Sequence, residues 1–158
     1  MTDGAMTDSS MADSAMTEDL RVGTVLPEFV VDAVDAERIR QFALILDDPN
    51  PIHFDLEAVA RAGLGDRAVN QGGATMAYIV DMIARWRGTR RALLGIDCRF
   101  RDNVRAGDTV TAGGVITEVL GESTGGLRVR CDVWADRGDG RRVVDGTALV
   151  SVDPAQIR

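Results

Sequence analysis

The 158-residue chain contains no lysine; all 18 of its basic residues are arginine. That excludes a Schiff-base mechanism and a lysine general base. Histidine occurs once, at His53, and cysteine twice, at Cys98 and Cys131. One histidine and two distant cysteines fit no metal-ligand spacing and no disulfide-stapled scaffold. Two reduced thiols in a cytoplasmic protein, with no metal, are therefore expected. No apolar run approaches the roughly 18 residues of a membrane span, and no basic n-region with an apolar h-region marks a signal peptide. The arginines are scattered rather than clustered, which argues against nucleic acid.

The net charge of −7 is concentrated at one end. Residues 1–20 hold Asp3, Asp8, Asp13, Glu18 and Asp19 and no basic side chain, so the rest of the chain is near neutral. The same stretch repeats Met-Thr-Asp or Met-Ala-Asp and has almost no large apolar group, so burial cannot offset its ordering entropy. It reads as a disordered acidic tail, followed by one domain over 21–158.

Within that domain a short strand is expected over Phe29–Ala33, then a helix over Ala36–Leu46 with Asp35 as N-cap. Ile39, Phe42, Ala43 and Leu46 have the spacing of a buried stripe. One or two helical turns over Leu56–Ala62 end at Gly63 and Gly65. A central helix over about 72–87 follows, with Met76, Ile79, Val80 and Ile83 as its apolar face. Gly72 and Gly73 at its start are poor helix formers, and their use is close approach by another group. Four strands then follow, over Leu93–Arg101, Thr109–Leu120, Leu127–Ala135 and Val143–Val152. In the third of these, Leu127, Val129, Cys131, Val133 and Ala135 alternate with Arg128, Arg130, Asp132 and Trp134. One face is thus dry, and Trp134 on the other is a surface aromatic or a subunit contact. The order implies an α+β fold, an antiparallel sheet wrapped around the central helix.

The chemistry centres on Asp48-Pro49-Asn50-Pro51-Ile52-His53-Phe54-Asp55. Two prolines push this segment away from regular helix or strand. A bent loop brings together a carboxylate and an imidazole five residues apart, as an acid/base pair needs. The competing reading is ordinary turn chemistry around a lone histidine.

These residues resemble the MaoC-like, or (R)-specific enoyl-CoA hydratase, branch of the hotdog superfamily. Asp48 to His53 fits that family's Asp-x-Asn-Pro-x-His motif. Gly23–Glu28 is similar to its opening turn, and Phe100 through Gly107-Asp108-Thr109 to its downstream strand and turn. Two positions differ: Leu46-Asp47 stands where Ser-Gly is frequent, and Gln71 where histidine commonly precedes the helix glycine.

The resemblance implies a single hotdog domain that hydrates a 2-enoyl thioester, or dehydrates the 3-hydroxyacyl thioester. Asp48 and His53 would hold a water between them as the catalytic pair, with the division of proton transfers left open. Gly72 would donate its N–H to the thioester oxygen, with Gly73, Gln71 and Asn50 around the substrate; Asn50 braces the loop in the simpler reading. No cofactor is implied beyond the carrier, coenzyme A or acyl carrier protein, and the near-neutral domain favours coenzyme A. Arg99 and Arg101 meet carrier phosphates or are solvated strand charges. A homodimer is implied, with a heteromeric partner as the alternative. Two other functions stand beside this one. The first is thioester hydrolysis, for which Asp81 is the only acid on the central helix; the second is a non-catalytic acyl-binding or partner subunit.

Overall fold

The computed structural model describes residues 20–123 and 126–152. The acidic segment lies outside the described residues except for Leu20, which is buried in the core. From Gly23 to Leu26 the chain runs beside the third strand, with Gly23 N–H on the Ile116 carbonyl at 2.8 Å and Leu26 N–H on Gly114 at 2.9 Å.

Five strands follow: β1 (Phe29–Val31), β2 (Leu93–Phe100), β3 (Val110–Ser123), β4 (Gly126–Arg137) and β5 (Arg142–Ser151). They form one antiparallel sheet in the order β1-β3-β4-β5-β2. Three helices precede the last four strands: α1 (Ala36–Ile45), α2 (Leu56–Arg61) and α3 (Gly72–Arg87). The sheet packs on α3, as the hotdog arrangement requires, and all five strands expected from sequence are present.

The period-two pattern of β4 is realised. Val129, Cys131, Val133 and Ala135 are buried, and Arg130 and Asp132 are exposed. Trp134, on the other face, is partly buried. Its indole lies across Gly113, where a Cβ would come within 2.7 Å of it, and the Arg142 guanidinium stands 4.9 Å from the ring. Register irregularities between Ile116 and Glu118 and between Ala135 and Asp136 bend the ribbon. A third constraint is Gly146, opposite Cys98. An added Cβ there would lie 2.0 Å from the Asp97 carbonyl oxygen, so only glycine lets β5 and β2 approach this closely.

The helix faces differ in part from expectation. On α3 the buried set is Ala74, Thr75, Ile79, Met82 and Ile83, whereas Met76 and Val80 are only half-buried. On α1, Ile39 and Ala43 are buried, but Phe42 is 37% and Leu46 52% exposed, beside Leu44 and Ile45. The helix carries apolar residues around more than one face, so spacing alone could not select the one that packs. Cys131 is buried and Cys98 partly buried, both as free thiols, and burial pushes the Cys131 thiol up to about 12. Among the described residues no helix is long and apolar enough to cross a membrane.

Candidate active site

The site starts where α1 stops. Asp35 caps the front of this helix, its Oδ1 accepting from Glu37 N–H at 2.8 Å. At the other end Asp47 takes a positive φ of 50°. Its N–H reaches the Leu44 carbonyl at 3.3 Å, and the Asp48 N–H reaches Ala43 at 2.9 Å. This is the paired closure of a Schellman motif, with Asp47 at the position usually given to glycine. The closure turns the chain sharply and delivers Asp48 into the proline loop.

Local side-chain bonds then set the loop. Asp48 Oδ1 accepts from Asn50 N–H at 3.0 Å, and Asn50 Oδ1 accepts from Ile52 N–H at 3.4 Å. Asn50 thus braces the turn. The segment is not wholly irregular, because Pro51–His53 makes one 3-10 turn with Pro51 in its first turn. There the missing N–H costs nothing. Asp55 closes the loop as N-cap of α2, accepting from Glu57 and Ala58 N–H at 2.9 and 3.2 Å.

These turns bring His53 Nε2 to 3.2 Å from Asp48 Oδ2. The imidazole is buried, whereas the carboxylate side chain keeps 31% of its exposure. On the far side of the ring, Nδ1 lies 2.7 Å from the Val69 carbonyl oxygen. A carbonyl only accepts, so Nδ1 carries a hydrogen and Nε2 presents its second site to Asp48. At 3.2 Å, Nε2 and the carboxylate oxygen stand close enough to exchange a proton.

Val69 is held in turn by the neighbouring backbone. Its N–H donates to Ile52 at 3.0 Å, while Asn70 N–H donates to Val104 at 2.8 Å and Ala106 N–H to Ala68 at 2.8 Å. Arg67 fastens the same segment through Asp108, Nη1 to Oδ1 at 2.8 Å, and through the Ala106 carbonyl at 2.6 Å. Val69 and Arg67 were not singled out from sequence, and Asp108 was named only as part of the turn that resembles the family's. A carbonyl oxygen has no side-chain signature, and Arg67 reads as one more surface arginine.

Three residues beyond Val69, α3 begins at Gly72. The side chain of its N-cap, Gln71, makes no capping bond, leaving the first amides of the helix without that partner. Gln71 is instead buried, with Nε2 donating to the Ile39 carbonyl of α1 at 3.0 Å and Oε1 unpaired among the described residues. It ties the helix that delivers Asp48 to the helix that starts at Gly72.

The two glycines differ in surroundings. A Cβ on Gly72 would meet the Phe100 ring at 3.3 Å, so the space saved there admits an aromatic ring; around Gly73 nothing lies within 4 Å. Close approach by another group, expected at both positions, is seen at Gly72, where the group is the Phe100 ring. Arg101 lies apart from this centre, its guanidinium gripping both oxygens of Asp145. Asp81 is bound to Arg90 Nη2 at 2.6 Å. No group of three or more potential metal ligands occurs among the described residues.

The arrangement couples a buried, oriented imidazole to a partly exposed carboxylate, and the carbonyl that orients the imidazole lies three residues before a helix whose N-terminus has no side-chain cap. Residues 21–128 match the family model described as MaoC like domain. The curated 3-hydroxybutyryl-CoA dehydratase of Methylorubrum extorquens is 31% identical over 137 residues, covering 85% of this chain and 82% of that protein. Among solved structures, the unliganded R-hydratase PhaJ1 from Pseudomonas aeruginosa is 26% identical with a TM-score of 0.69, covering 85% of this chain and 84% of its own. The ChsH1-ChsH2 complex from Mycobacterium tuberculosis shares the fold at 22% identity and a TM-score of 0.70, covering 84% of this chain and 98% of that one. The chain belongs to the MaoC-like dehydratase family.

Proposed function

We infer that this protein adds water across the double bond of a 2-enoyl thioester and removes it in the reverse direction, with Asp48 and His53 as the acid/base pair. The observation that carries this reading is the 3.2 Å contact of Nε2 with Oδ2, made by a ring whose other nitrogen is fixed on Val69. The pair holds one proton. As a water beside it attacks the β-carbon, one member takes the water's proton and the pair's own proton passes to the α-carbon. The pair ends as it began. Negative charge gathered on the thioester oxygen is met by the N–H of Gly72 at the N-terminus of α3.

The chemistry needs no resident cofactor; the acyl group arrives on coenzyme A or an acyl carrier protein. The absence of a clustered basic face favours coenzyme A. We place the protein in the cytoplasm as a homodimer. Support for the dimer comes from β2, an edge strand with Leu94 and Phe100 each 50% exposed. A second, different subunit on that edge is the alternative. Thioester hydrolysis is disfavoured because Asp81 is held by Arg90.

The test is loss of the enoyl-thioester absorbance with crotonyl-CoA and longer 2-enoyl-CoAs. His53→Ala and Asp48→Asn each lower the rate by about 10²–10⁴-fold. Release of free thiol instead of loss of the band, or a rate indifferent to both substitutions, would refute the assignment.

A further inference from the structure

Between α1, β1 and α3 the fold encloses a cleft of about 800 Å³, within the size range of small-molecule sites. Its walls are mainly apolar, with Phe29, Val31, Ile39, Phe42, Ala74 and Ala77 among them. It starts at the first turn of α3 and lies against α1, the two elements that carry the reacting centre.

Two uncharged polar side chains interrupt this lining, Asn70 and Tyr78. Asn70 is only 7% exposed, and its Nδ2 donates to Thr75 Oγ1 at 3.0 Å and to Tyr78 Oη at 3.4 Å. Thr75 spends its own hydrogen on the Gln71 carbonyl at 3.2 Å. It must therefore accept from Asn70, which fixes the amide orientation. The result is an Asn70 carbonyl oxygen with no donor and a Tyr78 hydroxyl hydrogen with no acceptor among the described residues, both next to the Asn70 Nδ2 that joins the two side chains. Burial raises the Tyr78 phenol, so it remains a donor.

One free donor beside one free acceptor matches an alcohol, which accepts from Tyr78 and donates to Asn70. A carboxylate matches poorly because it cannot donate. The charged lining, Asp32, Asp35 and Asp81 with Arg38 and Arg90, holds one more carboxylate than guanidinium. We propose that this cleft receives the acyl chain of the thioester and that Tyr78 and Asn70 select a chain bearing a neutral hydroxyl at its fifth or sixth carbon. The position follows from Asn70 standing two residues before Gly72, a span of at most about 7 Å. The identity of the chain as an acyl thioester rests on the proposed hydratase reading.

Calorimetric binding of saturated acyl-CoAs tests the selection without requiring turnover. Hexanoyl-CoA is compared with its 5- and 6-hydroxy derivatives on the wild type, Tyr78→Phe and Ala77→Leu. One hydroxylated form is expected to bind the wild type about tenfold more tightly than hexanoyl-CoA, and Tyr78→Phe to erase that preference. Ala77→Leu fills the cleft and is expected to shrink the affinity gained between acetyl-CoA and hexanoyl-CoA. Equal or weaker binding of both hydroxylated forms to the wild type means that ordinary water satisfies the polar pair, and overturns the proposal. So does a preference that survives Tyr78→Phe, or chain affinity indifferent to Ala77→Leu. Crotonyl-CoA hydration is scored separately, so its absence with the hydroxyl preference intact would refute the reaction and leave the cleft assignment standing.

Discussion

Asp47 is the place where this chain departs from its family and bears a measurable cost. It is the one non-glycine residue with positive φ among the described residues, at 50°, and it closes the helix leading to Asp48. A Cβ in that region costs about 1–2 kcal/mol, less for aspartate, whose short polar side chain tolerates it. A carboxylate at a helix C-terminus adds about 0.3–1 kcal/mol of unfavourable dipole interaction. Asp47→Gly removes both costs and returns roughly 0.5–1 kcal/mol through the looser unfolded chain, for a net gain of about 0.5–1 kcal/mol. Asp47→Ala removes the charge but meets the full steric cost, for a net loss of about 0.5 kcal/mol. At roughly 2–4 °C per kcal/mol for a chain of this size, thermal denaturation followed by circular dichroism should rank the variants glycine, aspartate, alanine, with glycine and alanine about 2–5 °C apart. An alanine variant as stable as the glycine variant would show that the backbone at Asp47 carries no strain, and the Schellman account of how Asp48 is aimed would fall with it.

Gly146→Ala drives a methyl into the Asp97 carbonyl and should cost more than about 4 kcal/mol; a soluble variant with wild-type melting temperature would contradict the β2–β5 geometry. Arg67→Met strips the buried Asp108 carboxylate of its guanidinium while leaving the Arg105 N–H at 2.9 Å. Because Arg67 is itself 45% exposed, the expected loss is about 2 kcal/mol rather than that of a fully buried pair; a urea midpoint equal to the wild type would refute it. The Cys131 thiol, raised to about 12 in the fold, should resist Ellman's reagent at pH 8 until the protein is unfolded. Its proton is bound more tightly in the folded state, so the associated stability is complete below the unfolded thiol pKa and declines as pH rises from about 8.5 toward 12. The slope approaches 1.4 kcal/mol per pH unit in that window, and Cys131→Val should flatten it in denaturant titrations; an unchanged alkaline limb would count against a buried neutral thiol.

The readable parts of the sequence were those in which a side chain declares its own role. Alternation along β4 identified its dry face because a strand has only two faces to choose between. The Asp48–His53 pair was visible because both chemistries occur in one short loop, and the capping role of Asp35 follows from local bonds. On α1, Phe42 and Leu46 were misassigned to the core because apolar residues encircle much of the helix, and the sheet decides which face is buried. The Val69 carbonyl, the partner that orients His53, was invisible for a different reason: any residue could supply it. Phe100 against Gly72 required knowing that the end of β2 reaches the start of α3. Gln71 stood out as a departure from the family, but only the fold reveals that its amide reaches back to Ile39.

The strand order has a consequence for how the protein is made. The buried face of α3 packs against a core in which β3, β4 and β5 supply Ile116, Val129, Val133 and Val150, all encoded downstream of the helix. β2, although earlier in the chain, pairs only with β5. A ribosome therefore releases the helix, its apolar face and one whole edge strand before their partners exist. Folding from the N-terminus during synthesis is closed to this topology. The nascent chain must keep Ile79, Met82 and Ile83 from other apolar surfaces until the last strand of the sheet emerges, which makes shielding by a chaperone most valuable in that interval.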